Sequence, residues 1–171
     1  MTHAKTTYKN HWTNLQAKIK QYPYTKENME TEKGVIIVAY KEKRRNQRYA
    51  VLQRTRNWEG WELPKGHLEK NDYQETVKIE LKEEIGIEEA EIEDIKGLEE
   101  TVNWEYKEDG DKFRKEYKGF IVKLDEEVEI ETSQNPCNEH SQGFFLNKED
   151  AEGLLKYENQ QKLLEKASKN L

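Results

Sequence analysis

Apolar and polar positions change their spacing along this chain, and the changes mark its elements. Gly34 to Tyr40 (Gly-Val-Ile-Ile-Val-Ala-Tyr) is a continuous apolar run rich in β-branched residues. Such a run predicts a central strand buried on both faces. Lys41 to Asn46 reads as a basic turn, and Arg48 to Arg54 as a returning strand. Asn57 to Gly60 is a loop, and Trp61 to Leu63 a short strand closed by Pro64. The spacing then turns helical: Val77, Leu81 and Ile85 form one apolar stripe. Asp72 and Glu75 give the D-x-x-E pattern of a capped helix start, and Gly86 suits the left-handed residue that ends it.

The second half is strand-rich. Ala90–Leu98 and Glu99–Tyr106 alternate loosely, Glu108-Asp109-Gly110-Asp111 signals a turn, and Phe113–Leu124 returns as a strand. Val128–Thr132 reads as another short strand, Ser133–Ser141 as a polar loop and Gly143–Leu146 as a last apolar strand. Helical patterns follow from Lys148 and over Gln160–Ser168. The expected architecture is a mixed sheet with one helix in the middle of the chain and helices at its end. Ahead of this lies a stretch in which Trp12, Leu15 and Ile19 share a helical face, so Asn10–Lys20 is expected to form a short amphipathic helix ended by Tyr22-Pro23-Tyr24. We expect that helix to dock on the domain surface, with contact to a substrate or partner as the alternative.

Composition narrows the classes. With 171 residues, 33% hydrophobic and 37% charged, the chain fits one domain with a lean core and an ionic surface. The formal net charge of −6 is not that of a general duplex-DNA binder. An anionic substrate would need local cations or a metal to offset repulsion. Cys137 is the only cysteine, so no intrachain disulfide forms. No signal-peptide-like or membrane-spanning apolar run is present, and a cytoplasmic protein is expected.

The chemistry concentrates in Trp61-Glu62-Leu63-Pro64-Lys65-Gly66-His67-Leu68-Glu69 and in Glu80-Leu81-Lys82-Glu83-Glu84-Ile85-Gly86-Ile87. Glu80, Glu83 and Glu84 stand at i, i+3 and i+4, so one helical turn can present all three. Glu80 and Glu84 fall beside the apolar stripe rather than opposite it, which places them at a partly desolvated border. Carboxylates beside a lysine and a glycine-containing loop suggest a magnesium–polyphosphate site, since hard oxygen ligands suit Mg²⁺ and phosphate oxygens complete its shell.

Gly66–Ile87 resembles the signature of the Nudix hydrolases: a glycine, five residues, a glutamate, seven residues, then Arg-Glu-apolar-x-Glu-Glu-x-Gly-apolar. Glu80 to Ile87 fit every position after the arginine, and Gly66 fits the start. Two positions depart. The interval from Gly66 to Gly86 is one residue short across Glu69-Lys70-Asn71-Asp72, so Asn71 or Asp72 stands for the early glutamate, and Ile79 stands where the arginine is expected. In that family the missing pair is associated with loop shape and with orienting the neighbouring glutamate. The resemblance covers roughly Thr31 to Ala167, giving an extension over residues 1–30 and a hydrolase domain over 31–171. Trp61-x-Leu-Pro-Lys-Gly-His, Glu139-His140 and the tail through Leu163-Leu164-Glu165-Lys166-Ala167 look like the dinucleoside tetraphosphate hydrolase branch.

The resemblance implies a Nudix-type α/β/α sandwich and hydrolysis of a nucleoside diphosphate linked to a group X, foremost a dinucleoside tetraphosphate, with Mg²⁺ or alternatively Mn²⁺. It implies metal ligation by Glu80, Glu83, Glu84 and the Gly66 carbonyl. Glu83, Glu84 and Glu139 are the catalytic candidates. Glu139 would activate water or hold a further ion, unless it is an ordinary loop acid. Glu69 is a ligand, a base or an exposed loop acid. Lys65, Gln53, Arg54, His67 and Tyr157 are the substrate-side candidates. Lys65 stands where a phosphate should sit, Gln53 and Arg54 end a strand beside it, and His67 either binds phosphate or packs in the turn. Tyr106, Tyr117, Phe145 and Tyr157 are aromatic candidates for base stacking, with core packing the favoured role of Phe145. Alternatives are a sugar-nucleotide pyrophosphatase, an enzyme acting on RNA 5′ ends, and a nucleotide-binding sensor with little turnover.

Overall fold

A seven-stranded mixed sheet forms around the apolar run that begins at Gly34. The structure, a computed structural model, describes residues 29–171, so the helix expected at Asn10–Lys20 lies outside the described residues. The central strand β1 spans Glu30–Lys43. Its hairpin partner β2 (Asn46–Arg54) turns back through Arg44 and Arg45, both at positive φ (52° and 67°). β3 is Gly60–Glu62 and β4 is Lys65–His67. β5 (Ile92–Glu108) and β6 (Asp111–Leu124) form a long antiparallel hairpin, and β7 is His140–Leu146. The order is β3-β2-β1-β6-β5, with β4 added to β1 and β7 to β2.

Strand alternation in β1 feeds two cores. Ile36, Val38 and Tyr40 face Ala151, Leu155, Leu163, Leu164 and Ala167, which come from α2 (Lys148–Leu154), α3 (Glu158–Ser168) and the turn between them. Val35, Ile37 and Ala39 face Val77, Leu81 and Ile85 of α1 (Tyr73–Ile85). Helices therefore cover both faces of the sheet, and the unbroken apolar run is the sequence trace of that sandwich. The sandwich expected from the sequence is the fold observed.

Local signals explain the borders of α1. The Asp72 carboxylate accepts from the Glu75 backbone N–H at 3.0 Å, and Gly86 ends the helix at φ 72°. Two expectations need correction. Ala90–Leu98 and Glu99–Tyr106 are one strand, β5, preceded by a 3-10 turn at Glu89–Glu91 and carrying a register irregularity between Gly97 and Thr101. Val128–Thr132 is not a strand. Val128 is buried against the α1-side core, and the Glu131 N–H bonds the Ile85 carbonyl at the α1 C-terminus (3.0 Å), so the segment seals a helix end instead of extending the sheet.

Candidate active site

The loop leaving β4 and the start of α1 together set the carboxylates. Lys70 (φ 50°) and Asn71 (φ 55°) occupy the left-handed region in succession and close the shortened loop. Thr76 then latches it: its hydroxyl accepts from the Glu69 N–H at 2.8 Å and donates to the Asp72 carbonyl at 2.6 Å. The loop is thus held by an α1 side chain without an ion pair at Ile79. The resulting entry angle turns Glu80, Glu83 and Glu84 toward a cleft of about 700 Å³ that Gly66, Glu69 and Glu139 also line.

Glu80 lies against β4. A Cβ on Gly66 would stand 1.8 Å from the Glu80 carboxyl carbon, so only glycine admits that side chain here. Glu84 is 5% exposed, and its Oε2 accepts from the Lys65 backbone N–H at 2.9 Å. Burial, reinforced by the neighbouring charges of Glu83 and Glu69, pushes the Glu80 carboxyl up to about 8. Burial also drives Glu84 well above the ordinary carboxylate range, against the lowering charge of Lys65 and with the raising charge of Glu80. Like charges gathered at a desolvated border are a site that a divalent cation would relieve.

The donor chemistry fits Mg²⁺. Glu80, Glu83, Glu84 and the Gly66 carbonyl offer hard oxygens, and Glu69 and Glu139 line the same cleft. Among the described residues no three His, Cys, Asp or Glu side chains gather into a ready-made metal cage. Mg²⁺ ordinarily takes one or two carboxylates and completes its shell with water and phosphate oxygens, so a preformed cage is not required.

Behind the carboxylates lies a buried ionic group centred on Glu62, which is fully buried. Its Oε1 accepts from Arg54 Nη1 at 3.0 Å and His140 Nε2 at 2.9 Å, and its Oε2 stands 2.6 Å from Lys65 Nζ. Burial alone would raise this carboxyl, but the His140 hydrogen bond and the Lys65 and Arg54 charges bring it down to about 2. Arg54 Nη1 also reaches Glu139 Oε2 at 3.0 Å.

The remaining sequence candidates divide. His67 lines the cleft, with Nε2 3.2 Å from Glu32 and 3.3 Å from Lys115 Nζ. Tyr106 and Tyr117 line it as well, and Tyr117 is also a core residue at 2% exposed. Gln53 does not line the cleft. Alternation along β2 puts Leu52 and Arg54 on the α1 side, and Gln53 instead accepts from Gln142 Nε2 at 2.6 Å beside β7. Phe145 packs at the α1-side core under Lys41, away from the cleft. Tyr157 is 41% exposed and outside the lining, packed edge-on against Trp58 at 5.2 Å. Lys65 lines the cleft with its ammonium held at Glu62. Glu62, His140, Trp58 and Trp104 belong to the site without standing out in the local sequence pattern. A charged residue in the apolar Trp61-Glu62-Leu63 strand, and a histidine beside Glu139, were the available signals for the first two.

Residues 30–167 match the NUDIX domain family. The chain belongs to that family. Its NUDIX fold is similar to a Caenorhabditis elegans Ap4A hydrolase seen as a binary complex, at TM-score 0.64 and 24% identity over 81% of this chain and 96% of that one. It is also similar to the Escherichia coli dihydroneopterin triphosphate pyrophosphohydrolase (TM-score 0.67, 20% identity, 84% and 100% covered). A third similar structure is the NUDIX domain of Shewanella oneidensis NrtR complexed with ADP ribose (TM-score 0.60, 15% identity, 91% and 97% covered). No curated protein matches the chain significantly. Membership supports hydrolase activity on nucleoside diphosphate derivatives. Among the described residues no helix is long and apolar enough to cross a membrane.

Proposed function

We propose that this NUDIX domain hydrolyses a dinucleoside tetraphosphate with Mg²⁺. The observation that carries this reading is the placement of aromatic groups on both sides of the carboxylates. Trp58, in the loop between β2 and β3, lies on one side of β1 in the sheet order; Trp104 and Tyr106, on β5, lie on the other. β4 pairs with β1 between them and carries Gly66 to the acidic centre. A polyphosphate over that centre would leave a ring surface for a base at each end. A basic group accompanies each end: Arg54 and Lys156 stand 5.7 and 4.9 Å from the Trp58 ring, and Lys115 stands 5.1 Å from the Tyr106 ring.

Glu80, Glu83, Glu84 and the Gly66 carbonyl would hold the ion. Bound Mg²⁺ supplies a polarised phosphate and a water of lowered pKa. Glu139, with Arg54 Nη1 3.0 Å from its Oε2, would take the proton of the attacking water, with Glu83 as the other candidate. Oxygen–phosphorus bond formation at one phosphate breaks the bridging P–O bond, and the departing phosphate oxygen carries the electron pair. Lys65 is held 2.6 Å from Glu62, so in this arrangement the charge developing on phosphate falls chiefly to the ion.

A sensor with little turnover is the second reading, favoured by Ile79 at the arginine position and by the shortened loop. Turnover of diadenosine tetraphosphate, ADP-ribose, nucleoside triphosphates and 5′-triphosphate RNA should be compared with and without Mg²⁺. Highest kcat/KM on the tetraphosphate, lost in Glu84→Gln, is the expected result. A preference for ADP-ribose or RNA would overturn the substrate reading, and tight nucleotide binding without turnover would make the domain a sensor. We place the protein in the cytoplasm and residues 1–30 outside the catalytic domain.

A further inference from the structure

Glu62 lies behind the carboxylate row and carries none of the roles assigned above. A fully buried carboxylate is unfavourable unless paired, and apolar replacements are often no worse for stability. Its three partners share a second property: each also faces a candidate catalytic carboxylate. Arg54 Nη1 divides itself between Glu62 Oε1 and Glu139 Oε2, both at 3.0 Å. Lys65 has its ammonium 2.6 Å from Glu62 while its backbone N–H donates to Glu84 Oε2 at 2.9 Å. His140 Nε2 lies 2.9 Å from Glu62 Oε1, and its buried Nδ1, without a hydrogen-bond partner, faces Glu84 Oε1 at 3.9 Å.

We propose that Glu62 is a positioning residue, fixing the span across the cleft between Glu84 on α1 and Glu139 at the mouth of β7 through Arg54, Lys65 and His140. The proposal rests on the hydrolase reading given above. Glu139 sits at the end of a polar loop, where backbone alone would hold it poorly, whereas Arg54 is anchored on β2 and again by its Nε to the Arg56 carbonyl at 3.0 Å. Glu62 holds Arg54 and Lys65 side by side and accepts from His140 Nε2, which fixes that ring. The loop carboxylate is thereby tied to a buried point on β3, which pairs with β2 at Leu52–Glu62.

Glu62→Gln, Arg54→Lys, Glu139→Gln and the Arg54→Lys/Glu139→Gln double variant should be compared in the full chain, with Mn²⁺ affinity measured by calorimetry alongside kcat and KM on diadenosine tetraphosphate. Glu62→Gln is expected to weaken Mn²⁺ binding and lower kcat per Mn²⁺-binding molecule, each by ~10- to 100-fold, with KM nearly unchanged. Loss of folded protein alone would lower the number of binding sites and leave both values intact. Arg54→Lys keeps a cation beside Glu62 but loses the fork, so it is expected to lower kcat in the wild-type background and to do nothing further in Glu139→Gln. Wild-type values in Glu62→Gln, or an Arg54→Lys effect equally large without the Glu139 charge, would overturn the proposal. If Glu62→Gln does not fold, the Arg54–Glu139 cycle decides. A wild-type chain that binds Mn²⁺ but turns over no nucleotide refutes the hydrolase reading, leaving the Mn²⁺ affinity of Glu62→Gln to judge the positioning role.

Discussion

Gly66 and Glu80 touch so closely that a single methyl group on Gly66 would lie 1.8 Å from the Glu80 carboxyl carbon and within 2.1 Å of both its oxygens. The glycine is required by this approach and not by an unusual φ, since Gly66 is absent from the residues at positive φ. Gly66→Ala is expected to push the flexible Glu80 side chain out of the cleft with little change in stability, and to weaken Mn²⁺ binding. Calorimetry and thermal unfolding of the variant check both; unchanged Mn²⁺ affinity would show that Glu80 binds no ion.

Removing the charge of Glu84 should have the largest effect of any single carboxylate on turnover. Glu84→Gln keeps shape and burial but removes a ligand oxygen's charge, and kcat is expected to fall by about 100-fold or more. Steady-state rates across a Mg²⁺ series test this, and a variant retaining full turnover would exclude Glu84 from the metal site.

The clustered carboxylates give the stability of the metal-free protein a definite slope with pH. Glu80 rises from an ordinary 4.5 to about 8 through burial, then through Glu83 and Glu69. Between those values the folded chain holds a proton that the unfolded chain has released. This contribution to stability is therefore full below pH 4.5 and is lost as pH rises through about 8. Saturating Mg²⁺ should flatten the slope and release protons on binding. Urea midpoints from pH 5 to 9, with and without Mg²⁺, read the effect; parallel curves would contradict it.

Glu62 acts in the opposite sense. Its carboxyl is lowered to about 2, so its contribution is present above 4.5 and is lost as pH falls through about 2. The span corresponds to roughly 3 kcal/mol. Wild-type protein should lose stability steeply on acidification below pH 4.5, and Glu62→Gln should lose less. Equal acid slopes in chemical denaturation would show that the Glu62 group is not so strongly paired.

The two ends of the cleft should respond separately to substrate. Trp58→Ala is expected to raise KM for diadenosine tetraphosphate by about tenfold, the loss of one stacking contact worth roughly 1–3 kcal/mol. Its effect on a nucleoside triphosphate, with only one base, should be smaller. Equal effects on both substrates would remove Trp58 from the base-binding surface.

The central strand, α1 with its caps and the acidic face of that helix are legible in the residue pattern, because each is governed by local spacing. Val35 to Ala39 needed no partner to be read as a strand buried on both faces, and Glu80 and Glu84 fell at the border of the Val77–Leu81–Ile85 stripe by helical periodicity alone. Tertiary structure decided what those groups meet. Glu62 and Glu84 are 22 positions apart and His140 is 78 beyond Glu62, so no local pattern could show that they share one buried ionic group. Strand alternation with its register, and not residue type, sent Arg54 into the cleft and turned Gln53 toward β7. The shortened loop looked like a defect in sequence, yet two left-handed residues and the Thr76 latch close it. Charges are read one at a time along a chain, but their pKa values and partners follow from distances that only the folded sheet and helices set.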